Sequence, residues 1–137
     1  MNEQEIEFPA EAPSLTHIFT WVAAKLKETS FTPKRKKEIE LVLEEIVVNI
    51  IHYAYDDRPG KLTLKYSQAS DRVTFTVKDW GNPFDPTKLP MSPDINSKLN
   101  QRQEGGLGLH FIHKLSDQVA YEHKHEMNHL VITFFIR

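Results

Sequence analysis

The sequence predicts an α+β fold, a two-layer sandwich with helices packed on one face of a mostly antiparallel sheet. Three observations carry this expectation. Two helical-period segments open the chain, alternating segments follow in pairs joined by hairpin-like turns, and one more short helix separates the pairs. The 137 residues fit one domain, 1–137, with 39% hydrophobic and 26% charged residues, an ordinary globular composition. There is no cysteine for a disulfide framework or a thiolate metal site. No apolar run reaches the roughly 20 residues of a membrane helix, and the acidic start MNEQEIEFPAEAP lacks the character of a secretion signal. The expectation is a cytoplasmic protein with no membrane partner. A formal net charge of −2 argues against direct nucleic-acid binding.

Each element has its own signal. Glu5 to Phe8 alternate and read as a short edge strand. Ser14 reads as the N-cap of a helix carrying Ile18, Phe19, Val22 and Leu26 on one face. Thr32-Pro33 reads as an N-cap followed by proline at the first helical position. The long helix it opens is expected to run to about Tyr55, where Asp56-Asp57-Arg58-Pro59-Gly60 supplies turn chemistry. Strands are expected over Lys61–Ser67 and Arg72–Lys78, joined by Gln68-Ala69-Ser70-Asp71. From Asn82 to Gly106 four prolines and little periodicity predict a long functional loop or lid. Leu107–Leu115 resumes as a helix, and Asp117–His123 with Leu130–Ile136 form a last hairpin.

The long helix contains a polar anomaly. From Leu41 to Tyr55 it is apolar on almost every side, which predicts burial. Glu45, Asn49 and His52 interrupt it at spacings of four and three and so share one face. Buried polar groups without partners cost about 1–3 kcal/mol each. Either this face is a wet edge, or side chains or a ligand satisfy it. Glu44 points about 100° away from Glu45 around the helix, so the two are not one carboxylate pair.

Two glycine-bearing segments bear on that choice. Asp79-Trp80-Gly81-Asn82-Pro83-Phe84-Asp85-Pro86 follows the second strand and sets a carboxylate beside backbone that a ligand can approach. Glu104-Gly105-Gly106-Leu107-Gly108-Leu109 enters the next helix, where free N–H groups and the helix dipole favour an anion. Taken singly, the first is also a strand-ending turn and the second a hinge.

Together and in this order, the three segments resemble the motifs of the histidine-kinase-like ATPase superfamily, the GHKL or Bergerat-fold ATPases. Glu45–Asn49 is similar to its asparagine box, Asp79-x-Gly81 to its first glycine box, and Gly105-Gly106-Leu107-Gly108-Leu109 to its second. The resemblance covers nearly the whole chain. Asp-x-Gly-x-Pro-Phe-Asp-Pro on a short chain looks most like the anti-sigma-factor serine kinases of bacteria. No dimerisation-phosphoacceptor helix pair and no transducer domain is in the sequence. Pro83 stands where other branches carry a second glycine, a variant that fits this branch.

The resemblance implies a histidine-kinase-like ATPase fold that binds ATP with Mg²⁺. Asp79 is expected to accept a hydrogen bond from the adenine amino group, and Asn49 to offer Mg²⁺ its side-chain oxygen. Gly81, Pro83 and Phe84 belong to the first glycine box. Gly105, Gly106, Leu107 and Gly108 are expected to wrap the phosphates with backbone N–H groups. His52 would support Asn49, Thr133 would reach the adenine, and Arg102 in the lid would touch the terminal phosphate. Glu45 is the expected catalytic residue, activating a partner's hydroxyl for attack on the γ-phosphate. The implied partners are a sigma factor and an antagonist phosphorylated on serine or threonine, and relatives pair as homodimers. The rival expectation is a catalytically inactive ATP-binding module that sequesters a partner.

Three further features carry weaker signals. Lys34-Arg35-Lys36-Lys37 begins the long helix and reads as a solvated face or a partner surface. His123, His125 and His129 lie near a hairpin tip without a carboxylate set to complete a metal site. Trp80 either flanks the nucleotide or fills core.

Overall fold

The computed structural model describes residues 2–87 and 108–136. Their elements run β1 (Asn2–Pro9), α1 (Ser14–Lys27), α2 (Pro33–Asn49), a π turn (Ile50–Ala54), β2 (Lys61–Gln68), β3 (Arg72–Asp79), α3 (Gly108–Leu115), β4 (Gln118–Lys124) and β5 (Met127–Phe135). All five strands join one antiparallel sheet in the order β1-β2-β3-β5-β4. The α+β class and the antiparallel sheet are as the sequence predicts.

Strand periodicity divides the sheet into two faces. Leu62, Leu64 and Tyr66 of β2, Val73, Phe75 and Val77 of β3, and Leu130, Ile132 and Phe134 of β5 are all buried. They form one core with Ile18, Val22 and Leu26 of α1, Ile39, Val42, Leu43, Ile46 and Val47 of α2, and Ile112 of α3. Tyr66, Phe75 and Phe134 step across three strands edge to face, at centroid distances of 5.4 and 6.5 Å. Among the described residues no helix is long and apolar enough to cross a membrane.

Local chemistry explains most boundaries. Thr32 caps α2 by accepting from the Arg35 N–H at 3.1 Å, with Pro33 in the first turn. Ser14 does not cap α1. It is the first helical residue, and the backbone bonds Ser14 N to Glu11 O (3.0 Å) and Leu15 N to Ala12 O (3.0 Å) hold that end instead. The long helix does reach Ala54, but its last five residues form a π turn.

Arg35, within the basic run, ties distant elements together. Its guanidinium donates to Glu38 (2.9 Å), to the Leu115 carbonyl at the end of α3 (2.7 Å) and to Asp117 (3.1 Å). It also lies 5.4 Å from the Phe134 ring centroid. Arg35 is therefore a structural joint rather than part of a solvated face.

Candidate nucleotide site

β3 ends on the core-facing side with Asp79, directly opposite Asn128 at the start of β5. Each is 5% exposed. Asp79 Oδ1 accepts from the Gly81 N–H at 2.8 Å and from Asn128 Nδ2 at 2.9 Å. Burial pushes the Asp79 carboxyl above its ordinary pKa, against the pull of those two donors and of His123.

The turn after β3 is pressed onto the end of the π turn. A Cβ on Gly81 would stand 2.4 Å from the Ala54 carbonyl oxygen, so close approach and not an unusual φ demands glycine here. Asn82 N donates to that same carbonyl at 2.7 Å. Tyr55, just past the π turn, accepts from Trp80 N at 2.8 Å and donates to the Lys61 carbonyl. Trp80 itself lies under the Lys61 ammonium, 4.7 Å from the ring centroid, and does not line the cavity.

These contacts shape a cavity between the helix layer and the sheet end. Ile46, Asn49, Ile50, Tyr53 and Ala54 form its helical wall, and Val77, Asp79, Asn128 and Leu130 its sheet wall. Asn82, Phe84, Pro86, Ile112 and Tyr121 complete it. Apolar surfaces with a few convergent polar groups suit a flat heterocycle. Phe84 and Tyr53 are 51% and 46% exposed, unusual for aromatics and placed where a ring could stack.

Asn49 is buried, and its Nδ2 donates to the Glu45 carbonyl at 2.9 Å. With the amide nitrogen so engaged, Oδ1 keeps its acceptor capacity, the kind of oxygen that a hard cation such as Mg²⁺ would take. Glu45 sits one helical turn earlier and is half-buried. Its carboxyl is held above the ordinary range by burial and then by the charge of Glu44, the direction that makes a better proton acceptor.

Glu45, His52, Gly81, Pro83 and Thr133 are not among the residues that line this cavity. His52 is exposed beside the Tyr53 ring and does not line the cavity. The π turn begins at Ile50, and its i→i+5 bonding rotates Tyr53 into the place that α-helical spacing assigns to His52. Thr133 pairs with Thr74 and Gln118 on the opposite face of the sheet, so it cannot share the pocket of Asp79. The β5 residue beside Asp79 is Asn128, and the β4 residue on the wall is Tyr121. A sequence signal for Asn128 exists: extending the apolar row Phe134, Ile132, Leu130 back by two lands on a polar side chain.

Pro83 is exposed and off the cavity wall. Gly108 is the first residue of α3. Arg102, Gly105, Gly106 and Leu107 lie outside the described residues. Of the hairpin histidines, His125 occupies the β4–β5 turn, while His123 and His129 fall on opposite faces of the sheet.

Comparisons with known proteins point to one family. The family described as the histidine kinase-like ATPase domain matches residues 8–134. The serine-protein kinase RsbW of Bacillus cereus is 28% identical over 136 residues, covering 97% of this chain and 85% of that protein. The serine/threonine-protein kinase BtrW of Bordetella bronchiseptica is 27% identical, covering 93% and 90% respectively. RsbW of Staphylococcus aureus is 27% identical, covering 85% and 76%.

Proposed function

The chain belongs to the histidine kinase-like ATPase domain family, and on that premise we propose that it is a regulatory serine/threonine protein kinase of the anti-sigma-factor kind. It binds Mg·ATP and phosphorylates a protein antagonist, so controlling the availability of a sigma factor. Its relatives in Bacillus, Bordetella and Staphylococcus, named as serine or serine/threonine kinases, support the transfer reaction. The observation that carries the nucleotide is Asp79, a buried carboxylate in an otherwise largely apolar cavity. Both donors that it meets among the described residues fall on Oδ1, which keeps Oδ2 as an acceptor for an exocyclic amino group.

In this reading Asn49 holds Mg²⁺ through Oδ1, and the cation, when bound, offsets phosphate charge. Glu45 takes the proton of the partner's hydroxyl as that oxygen bonds to the γ-phosphorus and the bond to ADP breaks. Phe84 and Tyr53 flank the base. The family resemblance assigns the phosphates to Gly105, Gly106, Leu107 and Gly108.

Calorimetric titration with ATP and GTP, with and without Mg²⁺, tests the site. Magnesium-dependent, adenine-selective binding that Asp79→Asn weakens about 10-fold or more is the expected result. Well-folded protein that binds no ATP would remove the reading. Transfer of labelled phosphate to a serine-bearing antagonist, lost in Glu45→Ala with ATP binding largely kept, tests the chemistry. Binding without transfer in the wild type would leave an ATP-dependent sequestering module.

A further inference from the structure

Beside Asp79 lies a buried polar chain that the expected nucleotide contacts leave unexplained. Asn128 Nδ2 donates to Asp79 Oδ1 at 2.9 Å and to the Asn82 carbonyl at 3.0 Å, with the Gly81 carbonyl at 3.4 Å. Its Oδ1 accepts from the Tyr121 hydroxyl. Reversing the amide would set its oxygen against a carboxylate and two carbonyls, so this environment admits one orientation. Burial raises the Tyr121 pKa and keeps the phenol a donor, which favours the same orientation.

We propose that Asn128, oriented by Tyr121, is a positioning and specificity-determining residue that holds the Asp79 carboxylate as a pure acceptor and so selects 6-amino over 6-oxo purine nucleotides. The inference rests on the nucleotide reading of this cavity and deepens it. A 6-amino purine presents an N–H donor at that edge, which an ionised carboxylate accepts. A 6-oxo purine presents an oxygen, which the same carboxylate repels. A protonated carboxyl can donate to that oxygen, and the discrimination then collapses.

Whether the carboxyl is protonated is a balance of named groups. Burial favours the proton, while the Asn128 amide, then the Gly81 N–H, then the charge of His123 on β4 oppose it. Among the described residues, the hydroxyls of Tyr55 and Tyr121 also feel the Asp79 charge, both with raised pKa and so neutral near pH 7. Asn128 is the strongest opposing contact. Losing it frees the carboxylate to rotate and lets it hold its proton to higher pH.

The test uses Asn128→Leu, which keeps the branched shape in a larger side chain without the hydrogen bonds, and Tyr121→Phe. Calorimetry with Mg·ATP and Mg·ITP from about pH 5.5 to 8.5 gives the selectivity, since the two bases differ only at this edge. Carboxyl ¹³C NMR on the ligand-free protein gives the Asp79 titration directly. The expected result for Asn128→Leu is ATP affinity down about 10-fold or more, an ATP-to-ITP preference narrowed by a similar factor, and an Asp79 titration moved to higher pH. Tyr121→Phe should move the same quantities the same way, by roughly 3-fold in affinity. A role in packing alone would lower the melting temperature and leave both the preference and the titration unchanged, which would overturn the assignment. If Asn128→Leu does not fold, Tyr121→Phe decides by the same criteria. Wild-type protein that binds neither nucleotide would overturn the selectivity together with the nucleotide reading. ATP binding with variants indistinguishable from wild type would overturn the selectivity alone.

Discussion

At the scale of single residues, the site sets function against stability. A carboxyl with a raised pKa in the folded chain binds its proton more tightly folded than unfolded. Its contribution to stability is therefore full below the ordinary carboxylate pKa and is lost as pH rises through the raised value. Ionising the buried Asp79 therefore carries a cost that an amide avoids. Asp79→Asn should accordingly melt at or above the wild type at pH 7 without nucleotide, with the difference closing in acid. Differential scanning fluorimetry across pH measures it, and a variant that melts well below wild type at pH 7 would contradict the sign. Glu45 offers a second reading of charge. Replacing exposed Glu44 with Gln removes one cause of its raised pKa, so the Glu45 titration should move to lower pH, less so in high salt. Carboxyl NMR follows it directly. Glu45 and Asn49 stood out in the sequence as polar residues in an otherwise apolar helix, and Asp79 as an acidic residue at a strand end followed by glycine. Asn128 was harder to find because its strand begins at Met127, three residues before the apolar row announces it.

At the scale of elements, the β4–β5 hairpin closes through His125 and Glu126, with φ of 55° and 62°. Two positive φ values fit a primed turn, which suits strand twist but favours Asn-Gly, and each ordinary residue there costs roughly 1–2 kcal/mol. His125→Asn with Glu126→Gly should raise stability by about 1–2 kcal/mol, or roughly 4 °C or more in melting temperature. A lowered melting temperature would show that one of these side chains makes a contact worth more than the strain. Neither residue carries turn chemistry, which is why the hairpin was legible in the sequence while the position of its two-residue turn was not. The π turn escaped for a related reason. Spacing rules assume a regular helix, and nothing in Ile50–Ala54 is a recognised breaker. β1 was read as Glu5–Phe8 because its first residues owe their extended form to pairing with β2, a tertiary cause.

At the scale of the whole molecule, the helix layer and the sheet meet through Arg35. Its partners Leu115 and Asp117 lie 80 and 82 residues away, a distance no local charge pattern reveals. Arg35→Met would remove the guanidinium from the end of α3 and from Asp117 while keeping some packing on Phe134. The expected cost is about 1–3 kcal/mol in urea unfolding, moderated because the pair is partly solvated. Nucleotide affinity should stay unchanged, since Arg35 does not line the cavity. The strand order also bears on how the protein could be divided. β3 and β5 are neighbours in the sheet, eight register pairs long, although α3 and β4 intervene in the chain. A break anywhere between Thr87 and Gly108 would yield a large piece carrying Asp79 and a small piece carrying Asn128. Each would hold half of the same recognition element, and their reunion would rebuild the central ladder. Such a protein lends itself to a two-piece reporter, in which a small molecule gripped by both halves acts as the glue.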